Sequence, residues 1–100
     1  MTEDRLLSVE FEVYGEVQGV FFRKYTLHEA ERLGLVGWVR NTRRGTVLGI
    51  VQGPKDKVHK MKHWLCEKGS PRSAIDKCEL QNEREIIHPE FSRFSIQPSG

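Results

Sequence analysis

Between Leu7 and Ile96 the apolar residues change their spacing in a definite order, and that order leaves a chain of this length few folds. Leu7, Val9, Phe11 and Val13 alternate with Ser8, Glu10, Glu12 and Tyr14. Period two marks a strand with one buried and one wetter face. A turn between Gly15 and Gly19 follows. Phe22, Tyr25, Ala30 and Leu33 then stand among Lys24, His28, Glu29, Glu31 and Arg32. This spacing predicts a helix from about Phe22 to Leu33, with Gly34 as its C-terminal stop. "LVGWVRN" is rich in β-branched and aromatic residues and reads as a second strand. "TRRGT" turns the chain into a third, "TVLGIVQG", apolar on both faces and hence expected inside the sheet. After Gly53-Pro54, Val58, Met61, Trp64 and Leu65 recur at helical spacing among lysines. They predict a second amphipathic helix ending near Gly69. "AIDKCELQN" reads as a fourth strand whose alternation slips between Ile75 and Cys78, as a bulge would make it do. "NEREIIHPE" reads as a polar loop and "FSRFSIQ" as a last short strand.

Two helices cannot cover both faces of one sheet in so small a domain, so they share a face. The expected fold is a two-layer α/β (α+β) sandwich of ferredoxin-like βαββαβ type, with a mostly antiparallel sheet of four to five strands. Strand–helix–strand connections are right-handed crossovers, so strands one and two run parallel with the third between them and antiparallel. Residues 1–100 make a single domain with an ordered core over roughly 8–97. Phe11, Phe22, Trp38, Trp64 and Phe94 are its expected aromatic core.

Several function classes drop out. A net charge of +2 is too small to argue for nucleic acid. The longest apolar run falls far short of a membrane span, and "MTEDRLLSVEF" passes from a polar tail into a strand pattern without a signal peptide. Cys66 and Cys78 lack CxxC spacing and make no disulfide framework. They read as small buried hydrophobes in a reducing, cytoplasmic protein. His59 and His63 stand four apart, but "HKMKH" has neither the glutamate of a zincin nor a third ligand, so they read as solvated helix residues. A monomer without metal or cofactor is the expectation.

The topology brings one set of residues together. Parallel strands one and two end at the same edge of the sheet, near Gly15 and Asn41. The Gly15–Gly19 turn, the start of the first helix, Arg23, Asn41 and the Arg43–Arg44 hairpin therefore meet. A glycine-framed turn can aim backbone N–H groups into one concavity, and a helix N-terminus also favours anions. Arg23 adds a planar fork for two phosphate oxygens. Asn41 can donate and accept, which suits it to orient a water. Arg43 and Arg44 are either charges that steer an anionic substrate or solvated loop residues. No activated nucleophile is in view. Phosphoryl transfer to water from a good leaving group needs none, since positioning and charge stabilisation do most of that work.

At these residues the sequence closely resembles the acylphosphatase family. "YGEVQGVFFR", Tyr14 to Arg23, matches the first family signature, and "GWVRNTRRGTVLGIVQG", Gly37 to Gly53, matches the second at Gly37, Trp38, Val39, Arg40, Asn41, Gly45, Val47 and Gly53. Phe21 falls on a variable site. The likeness runs from about Ser8 to Ile96. It implies hydrolysis of small-molecule acyl phosphates to a carboxylate and inorganic phosphate, without metal or cofactor. Carried onto this chain, Arg23 binds phosphate with the backbone N–H groups of Gly15, Glu16, Val17, Gln18, Gly19 and Val20, and Asn41 positions the attacking water. Proteins bearing aspartyl phosphate are a second substrate class consistent with it. The competing reading is a non-catalytic ferredoxin-like phosphate- or RNA-binding module. An RNA-binding sheet displays paired aromatics, whereas strand one places Ser8, Glu10 and Glu12 on its outer face.

Overall fold

The computed structural model describes residues 5–100. Its elements are β1 (Leu6–Glu16), α1 (Phe22–Arg32), β2 (Val36–Asn41), β3 (Val47–Pro54), α2 (Lys55–His63), β4 (Ala74–Ile86) and β5 (Phe94–Ile96). The strands lie in the order β4-β1-β3-β2-β5. β3 runs antiparallel to both β1 and β2, so those two point the same way. β4 is antiparallel to β1, and β5 parallel to β2. This is the ferredoxin-like sandwich the order of patterns predicts, with β3 interior and a short fifth strand on the β2 edge.

The core lies between one sheet face and the helices. Leu7, Val9, Phe11 and Val13 from β1 meet Val47 and Val51 from β3 and Val39 from β2. Against them α1 lays Phe22 and Ala30, and α2 lays Val58 and Met61. Phe11 sits across from Gly49, where a Cβ would come within 2.5 Å of its ring. The glycine makes room for the aromatic. α1 closes with a Schellman motif: Leu35 N–H donates to Ala30 O at 2.8 Å and Gly34 N–H to Glu31 O at 3.0 Å, with Gly34 at φ 72°. α2 widens over Trp64–Lys68 into a π-helical turn, where Gly69 N–H reaches Trp64 O at 2.9 Å. That turn buries Trp64 and Leu65 side by side.

Four expectations need correction. "NEREII" is not loop: β4 runs on to Ile86. It is an edge strand, largely exposed, so no apolar alternation marks it, and polar cross-strand bonds such as Asn82 Nδ2 to Glu10 Oε1 at 2.9 Å accompany its ladder. The bulge expected near Ile75–Cys78 is present, since the register passes from Tyr14↔Lys77 to Gly15↔Ile75 and skips Asp76. A second slip near Asn82 (φ 52°) was not foreseen. Trp38 is half-buried on the sheet face away from the helices, with the Arg40 guanidinium 5.4 Å from its ring centre, because β2 sends Val39 to the core instead. Ser8, expected on the wetter face, is buried: Gln52 Nε2 donates to Ser8 Oγ at 3.0 Å and to Glu90 Oε1 at 2.7 Å, so the loop after β4 folds over that end. Finally, Cys66 and Cys78 are half-buried and joined as a disulfide, with Cα atoms 5.2 Å apart. Sequence spacing could not reveal this, because only the packing of the π-helical turn on β4 brings them within bonding range. The pairing also removes the argument from free thiols to a reducing compartment. Among the described residues no helix is long and apolar enough to cross a membrane.

Candidate active site

β1 and β2 end at one edge of the sheet, and the chain leaves each into a piece of one pocket. After β1 the backbone passes Val17, which is buried, and Gly19 at φ 75°. It then enters α1 through Phe21, itself left-handed at φ 60° and ψ 26°. Phe22 turns inward and is 1% exposed, its ring 5.6 Å from that of Trp64. With Phe22 clamped in the core, its half-buried neighbour Arg23 lines the pocket.

Asn41 closes β2 opposite Val47, on the helix-covered face of the sheet. Its backbone oxygen accepts from Gly100 N–H at 3.2 Å. The side-chain Oδ1 is buried and meets no donor among the described residues. Arg23 and Asn41 share a pocket of about 310 Å³ with Val17, Gly19, Phe21, Phe22, Lys24 and Ile96. Two side chains chosen from separate stretches of sequence thus face the same space.

The remaining loop positions divide. Gly15 and Glu16 belong to the β1–β4 ladder, opposite Ile75 and Ala74, and not to the pocket wall. At Gly15 a Cβ would stand 2.1 Å from Ala74 O, so close approach of β4 demands the glycine there. Val20 packs half-buried on the core. Gln18 makes a tie that the sequence did not disclose. Its Nε2 donates to Thr42 O at 2.8 Å and Thr46 O at 2.9 Å, joining the loop after β1 to the β2–β3 hairpin.

That hairpin is held from its other side by an ordered chain of donors. Glu12 Oε2 accepts from Thr46 Oγ1 at 2.6 Å and from Arg44 Nη2 at 2.6 Å. An ionised carboxylate only accepts, so Thr46 must donate to Glu12, and Thr42 Oγ1 must donate to Thr46 Oγ1 across 2.6 Å. Burial pushes the Glu12 carboxyl up, but the bonds from Thr46 and Arg44 outweigh it and hold it below its ordinary value. Arg44 is thereby engaged with Glu12 and is not among the residues lining the pocket, while Arg43 is exposed. His59 and His63 are exposed on α2, and the described residues hold no cluster of three metal-ligating side chains.

Sequence reasoning missed Lys24, Phe21 and Ile96 as pocket residues. Phe21 and Lys24 stand beside Arg23 in the chain, and adjacency was the one available signal. Ile96 carried none, because only the pairing of β5 with β2 brings it to the site.

Comparison with known proteins shows the family. The family model described as Acylphosphatase matches residues 9–96. An Acylphosphatase-1 of Xenopus tropicalis is 60% identical over 96 residues, covering 96% of this chain and 98% of that protein. A human Acylphosphatase-2 is 55% identical, covering 96% of this chain and 97% of that protein. The solved acylphosphatase of Coxiella burnetii superposes with a TM-score of 0.81 at 34% identity, covering 97% of this chain and all of that one. With a family match over almost its whole length and relatives identical at more than half of the aligned positions, the chain belongs to the acylphosphatase family.

Proposed function

We propose that Arg23 and the backbone N–H groups of segment 17–20 hold the phosphate of an acyl phosphate while Asn41 orients the water that attacks it, Gly15 and Glu16 being engaged in the β1–β4 ladder. Membership of the acylphosphatase family carries the overall reaction, hydrolysis of acyl phosphates; the residue roles are our reading of the pocket. The observation that carries it is that Arg23 and Asn41 line one pocket with Gly19.

Each part has a physical task. The Arg23 guanidinium can meet two phosphate oxygens with two N–H groups. The start of α1 adds unpaired backbone donors and the positive end of the helix dipole. Negative charge on the transferring phosphoryl group is thus met by donors already in place, which need not reorganise during reaction. The buried Asn41 Oδ1 can accept a hydrogen from a water and turn the lone pair of that water toward phosphorus. As the new P–O bond forms, the bond to the acyl oxygen breaks and its electron pair leaves on a carboxylate. Carboxylic acids ionise near pKa ~4, so the leaving group departs at neutral pH without a general acid. The proton of the water passes to phosphate and solvent. No step calls for a metal or a cofactor.

The same chemistry extends to aspartyl phosphate on proteins, itself an acyl phosphate. The reading treats residues 1–100 as one acylphosphatase-like domain acting as a monomer.

The test is release of inorganic phosphate from benzoyl phosphate with a chelator present. Arg23→Ala is expected to abolish turnover and to weaken competitive inhibition by inorganic phosphate. Asn41→Ala is expected to keep that inhibition but lose about 10²-fold or more in kcat. Full activity in either folded variant removes that residue from the mechanism.

A further inference from the structure

Phe21 is costly as it stands. It is 67% exposed, the second most exposed large apolar side chain among the described residues. It also holds the left-handed backbone at φ 60°, an outlier for a bulky residue and one that recurs at ligand clamps. The ring lies at the pocket rather than in the core, with Lys24 Nζ 5.9 Å from its centre. Its neighbour Phe22 is the one of the two that packs into the core, beside Trp64.

A second exposed apolar residue faces the same space. Ile96, 41% exposed, ends β5. It pairs with Val39, two residues before Asn41, on the sheet face that Val39 and Phe94 share. The pocket therefore has two kinds of wall. Arg23, Gly19 and Asn41 offer charge and hydrogen bonds, whereas Phe21 and Ile96 offer apolar surface open to solvent. At about 310 Å³ it sits at the lower end of the range for small organic ligands, about 300–1,000 Å³.

We propose that Phe21 and Ile96 form the seat for the acyl group, so that the enzyme prefers acyl phosphates with an aromatic or branched apolar acyl chain over acetyl phosphate. This rests on the reading that Arg23 holds the phosphoryl end. An acyl phosphate is amphipathic in the matching sense: a dianionic head joined through one carbonyl to an organic tail. With its head on Arg23, a tail longer than a methyl group covers the exposed ring of Phe21 and takes its apolar surface out of water. A left-handed residue just before α1 is what sets that ring outside the core while the next residue, Phe22, is inside.

The experiment compares kcat/KM for benzoyl phosphate and acetyl phosphate in the parent, Phe21→Ala, Phe21→Gly and Ile96→Ala. Phe21→Gly suits the left-handed backbone and guards against loss through misfolding. The benzoyl-to-acetyl ratio is expected to fall at least fivefold in both Phe21 variants and by a smaller factor in Ile96→Ala. Most of the fall should come as a rise in KM for benzoyl phosphate. The inhibition constant of inorganic phosphate should stay within twofold. A ratio unchanged in the Phe21 variants, with both substrates turned over, overturns the acyl seat and leaves the phosphate site standing. So does a parallel shift in phosphate inhibition, which would mean that the substitution had disturbed the cradle. Failure of the parent to hydrolyse either substrate overturns the catalytic reading, and this proposal with it.

Discussion

One amide side chain, that of Gln18, joins the two halves of the pocket. The loop after β1 carries the proposed anion cradle and the hairpin after β2 follows Asn41; Gln18 Nε2 spends both its hydrogens on the hairpin carbonyls of Thr42 and Thr46. Gln18→Ala leaves those oxygens without that donor, at about 1–3 kcal/mol of stability. It should also lower kcat, because the cradle and Asn41 then move independently. Gln18→Glu should cost more, since an ionised carboxylate cannot donate and would face two carbonyl oxygens. Urea denaturation and steady-state kinetics on the two variants check this, and parent-like values in both would show that the halves hold without the tie. Residue type and topology made the meeting of Arg23 and Asn41 in one pocket legible in the sequence, because parallel β1 and β2 end at the same edge of the sheet. Gln18 was read only for its backbone, as its partners lie in a hairpin whose carbonyl directions no pattern encodes. Gly15 looked like part of an anion turn, but its missing Cβ answers to Ala74 across the ladder.

At the scale of elements, the link between the π-helical turn and β4 is the feature most open to test. Cys66 lies in the turn that buries Trp64, and Trp64 touches Phe22 at the head of α1. Cys78 lies in β4 opposite Val13. The bond spans a sequence separation of 12, and closing a loop of that size restricts the unfolded chain by about 3 kcal/mol. Denaturation midpoints taken with and without reductant should differ accordingly in the parent, and should coincide in the Cys66→Ser/Cys78→Ser double variant. A parent insensitive to reductant would mean that the bond contributes nothing in solution. The elements packed against the core were readable from pattern: β1, α1 and α2 each bury one face, burial is what writes period into a sequence, and β3 betrayed its interior place by being apolar on both faces. The far half of β4 was unreadable for the same reason, since an exposed edge strand carries "NEREII" with little apolar constraint.

At the scale of the whole molecule, carboxylates tie the sheet's edges and loops together, and this sets how stability should follow pH. Lys62 on α2 holds the Glu83 carboxyl of β4 below its ordinary value. Gln52, then Arg84, does the same for Glu90; Lys77, then Tyr14, for Glu79. Glu12 is lowered as well. A carboxyl lowered by folding stabilises fully above its ordinary value of 4.5 and loses that contribution as pH falls through the folded value. Stability should therefore drop below pH 4.5, and less steeply in high salt, which screens exposed pairs. The alkaline side depends on one group of opposite sign. The hydrogen bond from Tyr14 to Glu79, at 3.0 Å, raises the phenol from 10.0 to about 12. A raised pKa stabilises fully below the unfolded value and is lost as pH climbs through the folded one. Thermal midpoints of the parent and Tyr14→Phe should thus differ by a constant amount up to pH 10 and converge toward about 12. A gap that stayed constant through that window would mean that the phenol titrates alike in folded and unfolded chains, and that its bond to Glu79 does not persist in water.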